Sequence, residues 1–233
     1  MDRNNLIETL DKLVVLYNQR TGPNEDLVLE MERVLEEYLK AQPNDEEMLV
    51  KLALVEYTSP PGDYEKAIHV LNKVLTLNPL NTKALLIYAE IESIYWGIQP
   101  KTLERLQVMM TEDKQEEALM WYEQALYYRM KEDSENMVKA LERSLKAYSG
   151  FVFPLTCLAR YYKLIGEYEG AQRLYKEALA NVKTVGDGEP FIDILNSDRF
   201  IDQFIKGIYL SSGTYESIKK NATGPDDSFE ACA

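Results

Sequence analysis

His69 is the chain's single histidine, and that limits at once the chemistry the sequence can hold. Glu65 stands four residues before it, so helical spacing puts both on one face. Two ligands are too few for a closed zinc site. The two cysteines, Cys157 and Cys232, lie far apart and belong to no C-x-x-C pair. A nucleophilic thiol needs a base beside it. Cys157 falls instead within an apolar helical pattern, where a small buried side chain is expected. The carboxylate pairs Glu36-Glu37 and Glu116-Glu117 sit on polar helical faces, solvated rather than poised for catalysis. There is no glycine-rich phosphate loop and no G-x-S-x-G elbow. The expectation is a protein that is not an enzyme, with no catalytic residue, no metal and no cofactor.

Charge narrows the partners. The 233 residues carry a net charge of −13, spread unevenly. Residues 1–48 hold twelve acids and five bases, residues 49–111 six of each, residues 112–183 twelve and eleven, and residues 184–233 nine and four. An acidic chain repels phosphate backbones and anionic lipid, so neither nucleic acid nor a membrane is an expected partner. No apolar run is long enough to span a membrane. The N-terminus is polar, without a signal-peptide pattern, and paired cysteines are lacking, so a cytoplasmic setting is expected. Solubility is the plain explanation for the acidity. The sharper one is a basic partner docking on Glu25, Asp26, Glu30, Glu32, Glu36 and Glu37.

What remains is a pattern that positions surfaces. From Leu155 to Ala178 the chain reads Leu155-x2-Leu158-Ala159-x2-Tyr162, then Gly166 and Tyr168, then Ala171-x3-Tyr175-x2-Ala178. Two apolar stripes of helical period meet at a glycine turn, which predicts two antiparallel helices. Ala159 and Ala171 are small enough for a close crossing. This resembles one tetratricopeptide repeat, a family with a 34-residue period.

The period recurs. One step back, Trp121, Ala125 and Tyr128 match the first helix, while Met137, Leu141 and Ser144 stand in the second, where alanine is preferred at two positions. Another step finds Leu85, Tyr88 and Ala89, a long turn from Tyr95 to Pro100, and Leu103, Leu106 and Met110. Before it come Val50, Ala53, Leu54 and Tyr57, a Pro60-Pro61-Gly62-Asp63 turn, and Ala67-x3-Leu71-x2-Val74 closed by Asn78-Pro79. The first copy is weakest, with Leu6, Leu10, Leu13 and Tyr17, then Met31, Leu35 and Tyr38. The expected fold is therefore all-α, an α-solenoid of about five hairpins spanning roughly 5–42, 45–78, 81–111, 114–149 and 152–183.

The resemblance implies a protein-binding scaffold whose first helices line a concave groove. It assigns to that groove Lys51 from the second hairpin, Leu86 and Glu90 from the third, Leu119, Tyr122, Leu126, Arg129 and Met130 from the fourth, and Arg160 and Lys163 from the fifth. The groove is apolar in the middle and cationic at the end formed by Arg129, Arg160 and Lys163. The two-carboxylate clamp known in the family is absent: Lys51 matches its lysine, but Val55 stands where asparagine is required. The implied partner is another protein or peptide segment, with no small-molecule substrate, and the implied role is an adaptor or chaperone. The competing role is an inhibitor or immunity-type protein acting through the acidic surface.

After Val185 a Gly-Asp-Gly-Glu-Pro cluster ends the array. Phe191 to Leu195 suggests one helical turn. Phe200, Ile201, Phe204, Ile205 and Ile208 then form a helical stripe. Residues 186–221 are expected to cap the array, because repeat stacks need a terminal cover, though the stripe also suits a segment folded back into the groove. Residues 222–233 are expected to be disordered, the change beginning near Asn221.

Overall fold

Short polar side chains start five of the helices, and the rest of the fold follows from how those helices stack. In a computed structural model, which describes residues 2–19, 25–58, 63–183, 195–207 and 212–223, twelve helices account for 82% of the described residues, with no strand among them. They are α1 Arg3–Asn18, α2 Glu25–Ala41, α3 Glu46–Thr58, α4 Tyr64–Leu77, α5 Thr82–Tyr95 and α6 Pro100–Val108. There follow α7 Lys114–Met130, α8 Ser134–Ala147, α9 Val152–Leu164, α10 Tyr168–Asn181, α11 Ser197–Ile205 and α12 Ser212–Thr223. Asp2, Asp63, Asn81, Asp113 and Asp133 each accept a backbone N–H from the first turn of α1, α4, α5, α7 and α8. Asn136 donates to Asp133 from both backbone and side chain, which holds that carboxyl below its ordinary value.

The helices divide into two compact units, residues 1–109 with 189–200 and residues 110–188 with 201–233. The first contains the hairpins α1–α2, α3–α4 and α5–α6. Glu46, at the start of α3, accepts hydrogen bonds from Asn78 and Asn81 in the turn between α4 and α5. The long turn after α5 closes on itself: Glu92 accepts the Gln99 backbone N–H at 3.0 Å, and Ile98 is buried. Ile94, Tyr95 and Trp96 stay exposed, with Tyr95 stacked on Tyr64.

The second unit holds α7–α8 and α9–α10. The departures from the alanine pattern in α8 have a physical account. Ser144 is wholly buried and donates its hydroxyl to the Ala118 carbonyl of α7 at 2.7 Å, so a polar side chain is satisfied where alanine would only fill space. Trp121 is half-buried, with the Arg143 guanidinium 4.5 Å over its ring. Tyr57, Tyr128 and Tyr162, whose spacing marks them as core, are half-buried as well, and the Tyr57 hydroxyl donates to Glu90. In α10, Gly170 admits no side chain, since a Cβ there would lie 2.7 Å from the Tyr162 ring.

The segment expected to cap the array contributes two described helices that pack on different faces. The apolar face of the last hairpin is covered by α12, whose Ile218 and Ala222 pack with Val152, Leu155, Ala159, Tyr175 and Ala178. The residues of α11 pack elsewhere, as described below. Asn221, Ala222 and Thr223 belong to α12, so helix continues past the point where the composition suggested disorder. Phe191–Ile194, Ile208 and the residues after Thr223 lie outside the described part of the chain.

The two hairpins of the second unit end their first helices alike, 34 residues apart, with residues of opposite aptitude. Gly166 takes φ +84° and Glu132 takes φ +58°. The left-handed region costs a side-chain-bearing residue about 1–2 kcal/mol. Nothing lies within 4 Å of a Cβ on Gly166, so any cost of adding one is conformational. Denaturant melts are expected to show Glu132→Gly stabilising and Gly166→Ala destabilising the protein, each by about 1 kcal/mol.

Candidate functional site

The first helices of the second unit present a cluster of rings. Tyr122 projects from α7, Phe151 caps α9, and Phe153 lies in its first turn. Tyr122 lies 5.2 Å from Phe151 and 5.9 Å from Phe153, centroid to centroid. Against them packs Phe204 of α11, stacked on Phe153 at 4.7 Å and 27°, and edge-on to Phe151 at 6.1 Å. Ile201 and Ile205, three residues before Phe204 and one after it, are buried alongside. This is the i, i+3, i+4 spacing of an amphipathic helix laid on a surface. Gln115 at the start of α7 donates to Asp202 at 2.9 Å, Asp202 also pairs with Lys206, and the Lys183 backbone N–H reaches the Lys206 carbonyl.

The first unit shows the same habit by itself. Lys51 of α3 donates to the Leu195 carbonyl at 2.7 Å, Lys83 of α5 forms an ion pair with Asp198, and Tyr57 meets Phe200 edge-on at 5.9 Å. Lys51, Lys83 and Asp198 are among the residues lining a concavity of about 420 Å³. Asn196, just before α11, accepts the Asp198 backbone N–H.

The residues assigned to the groove divide on this inspection. Leu86, Glu90, Leu119, Tyr122 and Leu126 are buried, Lys51 and Lys163 are half-buried, and Arg129, Met130 and Arg160 are exposed. Arg129 and Arg160 come together on a second concavity of about 410 Å³, floored by Met137, Cys157 and Leu164. Among the described residues neither guanidinium has an ion-pair partner; Arg129 donates to the Cys157 sulfur at 3.9 Å. Lys163 turns away, donating to Asn221 of α12. Sequence spacing identified the cations but not that Lys163 serves α12, a helix the apolar pattern had not separated. Phe151 and Phe204 are the ring partners it missed as site residues; the signal for Phe204 was the stripe beginning at Phe200.

The acidic face of α2 is partly neutralised from within. Glu30 and Glu37 pair with Arg33, and Glu32 and Glu36 both reach Lys66 of α4, which also binds the buried Glu56 at 2.8 Å. Burial pushes the Glu56 carboxyl up, against the pull of Lys66. His69 and Glu65 are exposed, and no metal-binding group of three occurs among the described residues.

These hairpins define an all-α solenoid of tetratricopeptide type. No sequence-family model matches the chain, and no curated protein matches it. Solved structures do. A crystal structure of MamA is 21% identical, with a TM-score of 0.54 over 67% of this chain and 89% of that one. A second MamA crystal structure is 19% identical, with a TM-score of 0.55 over 76% and 92%. MamA from Desulfovibrio magneticus RS-1, from residue 41 to its end, is 18% identical, with a TM-score of 0.56 over 75% and 94%. At these identities the likeness is one of fold. No described helix is long and apolar enough to cross a membrane.

Burial also pushes the Cys157 thiol above its ordinary value, opposed by Arg129 and Arg160. A raised pKa leaves less thiolate at neutral pH, so the folded protein is the slower to alkylate, and its rate climbs only above the pH at which a free thiol already reacts. In a Cys232→Ser background at pH 7.5, iodoacetamide is expected to modify Cys157 at least tenfold more slowly in the folded protein than in urea. Equal rates would mean the thiol is not held protonated.

Proposed function

We propose that this chain is a non-enzymatic protein-binding scaffold, an adaptor or chaperone that holds a segment of a partner protein on the groove-lining faces of its first helices. The observation that carries the reading is the packing of the chain's own α11 on Tyr122 and Phe153, since a surface that accepts one amphipathic helix has the shape and polarity to accept another. Arg129 and Arg160 add a cationic subsite suited to a partner's carboxylate, two guanidinium groups on one concavity whose lining includes a single acid, Glu132. Support for a non-enzymatic role comes from Cys157, whose raised pKa is the reverse of what a nucleophile requires.

The inhibitor reading, in which a basic partner docks on the acids of α2, draws less support. Four of those acids, Glu30, Glu32, Glu36 and Glu37, already satisfy Arg33 and Lys66. A partner would have to compete with these pairs.

Capture of the cellular partner by purified variants separates the two. Arg129→Glu with Arg160→Glu is expected to weaken partner binding at least tenfold, about 1.4 kcal/mol. Glu25→Gln with Asp26→Gln and Glu30→Gln should leave it unchanged. The opposite pattern would replace the scaffold reading with the inhibitor one.

A further inference from the structure

The concavity at Arg129 and Arg160 has a composition that suits one chemical class. Three helices build it: α7 gives Arg129 from its last turn, α8 gives Met137, and α9 gives Cys157, Arg160 and Leu164. Met137 is buried and Cys157 half-buried, so the floor is apolar, while Leu164, 85% exposed, leaves a large apolar side chain in water. Its volume of about 410 Å³ lies within the range of about 300–1,000 Å³ usual for small-ligand sites. Arg129 donates to the Cys157 sulfur at 3.9 Å. Burial raises the Cys157 pKa, and both guanidiniums draw it down, so the two charges converge on one sulfur. The one acid in the lining is Glu132. Two guanidiniums and one carboxylate leave a single net positive charge.

We propose that this concavity binds a small organic monocarboxylate with an apolar body, its carboxylate held by Arg129 and Arg160 and its body lying on Met137, Cys157 and Leu164. A guanidinium takes a carboxylate through paired, parallel hydrogen bonds, and concave walls reduce the screening of the charge. One carboxylate balances the single net charge of the lining. A phosphate group exceeds that charge, beside Glu132 and in a chain of net charge −13. The short stem of a partner's aspartate or glutamate reaches the guanidiniums but leaves the apolar floor in water. A free acid with a branched or aromatic body covers both, and the burial of that body adds to the affinity. This inference goes beyond the scaffold reading. Where that reading also holds, the acid competes with the partner's carboxylate for the same two arginines.

The test titrates the full-length protein with hydrocinnamate at neutral pH and follows the ε-methyl NMR signal of Met137. Saturable binding is expected, with a shift of that signal and a dissociation constant of about 1 mM or tighter, as for a good ligand of this size. Hydrocinnamide, alike in shape but uncharged, and inorganic phosphate, charged but without an apolar body, should each bind at least tenfold more weakly. Arg129→Gln with Arg160→Gln should weaken hydrocinnamate at least tenfold, circular dichroism checking that the helices remain. Glu132→Gln should tighten it about threefold, a gain that misfolding cannot imitate. Should the arginine variant lose helicity, Glu132→Gln carries the test, and no gain there would overturn the proposal. Equal binding of acid and amide would overturn it, as would an arginine variant that binds like the wild type or a Met137 signal that stays still. Binding by a peptide that ends in phenylalanine, and not by hydrocinnamate, would overturn it in favour of a partner's chain end. None of these outcomes decides the scaffold reading, which partner capture tests separately.

Discussion

Close approach of helices at small residues is the constraint on which this structure depends. Ala159 and Ala171 are completely buried within the α9–α10 hairpin, and a Cβ on Gly170 would run into Tyr162. Two helices that close can bury only one face of each against the other, so the outer faces must be buried by neighbours. Ser144 shows how tightly this is enforced one repeat earlier: a hydroxyl is tolerated at such a position because the Ala118 carbonyl receives it. Larger side chains are then confined to the spaces beside the crossings. Tyr162, half-buried, takes the space over Gly170.

The same stacking creates the site. Successive first helices lie side by side and leave a row of side chains that neither hairpin packs. In the second unit that row is aromatic, and four rings within about 6.4 Å of one another, counting Phe204, form a surface that water wets poorly. Such a surface calls for an occupant, and α11 supplies one. Where the row turns polar, the occupant is missing: Arg129 and Arg160 border an open concavity.

Much of the fold was legible because its signals are local and repeated. The period linking Gly166 to Glu132, and Ala159 to Ala125, survives even where residue types drift. Aspartates and asparagines at the caps act within one turn, so the starts of α4, α5, α7 and α8 carry local signals. The site was legible only in part. Register along the first helices brings Arg129 and Arg160 to one concavity, while Leu86, Leu119 and Leu126, placed on the same stripe, are buried by long-range packing. The largest divergence concerned the C-terminus. The stripe from Phe200 is strong and suggested the cap, whereas α12 carries only Ile218 and Ala222 on its buried face, too few apolar residues to announce a helix with that task. The contact of Lys163 with Asn221 was unreadable for the same reason, since Asn221 belongs to that unannounced helix.

The central claim is that α11 lies on the rings of α7 and α9, and nuclear Overhauser spectroscopy reads that contact directly. In a sample with selectively labelled aromatic rings, cross-peaks are predicted between Phe204 and Phe153, whose centroids stand 4.7 Å apart, and between Phe204 and Phe151. Random-coil shifts for residues 201–205 with no cross-peak to Phe153 would contradict the account.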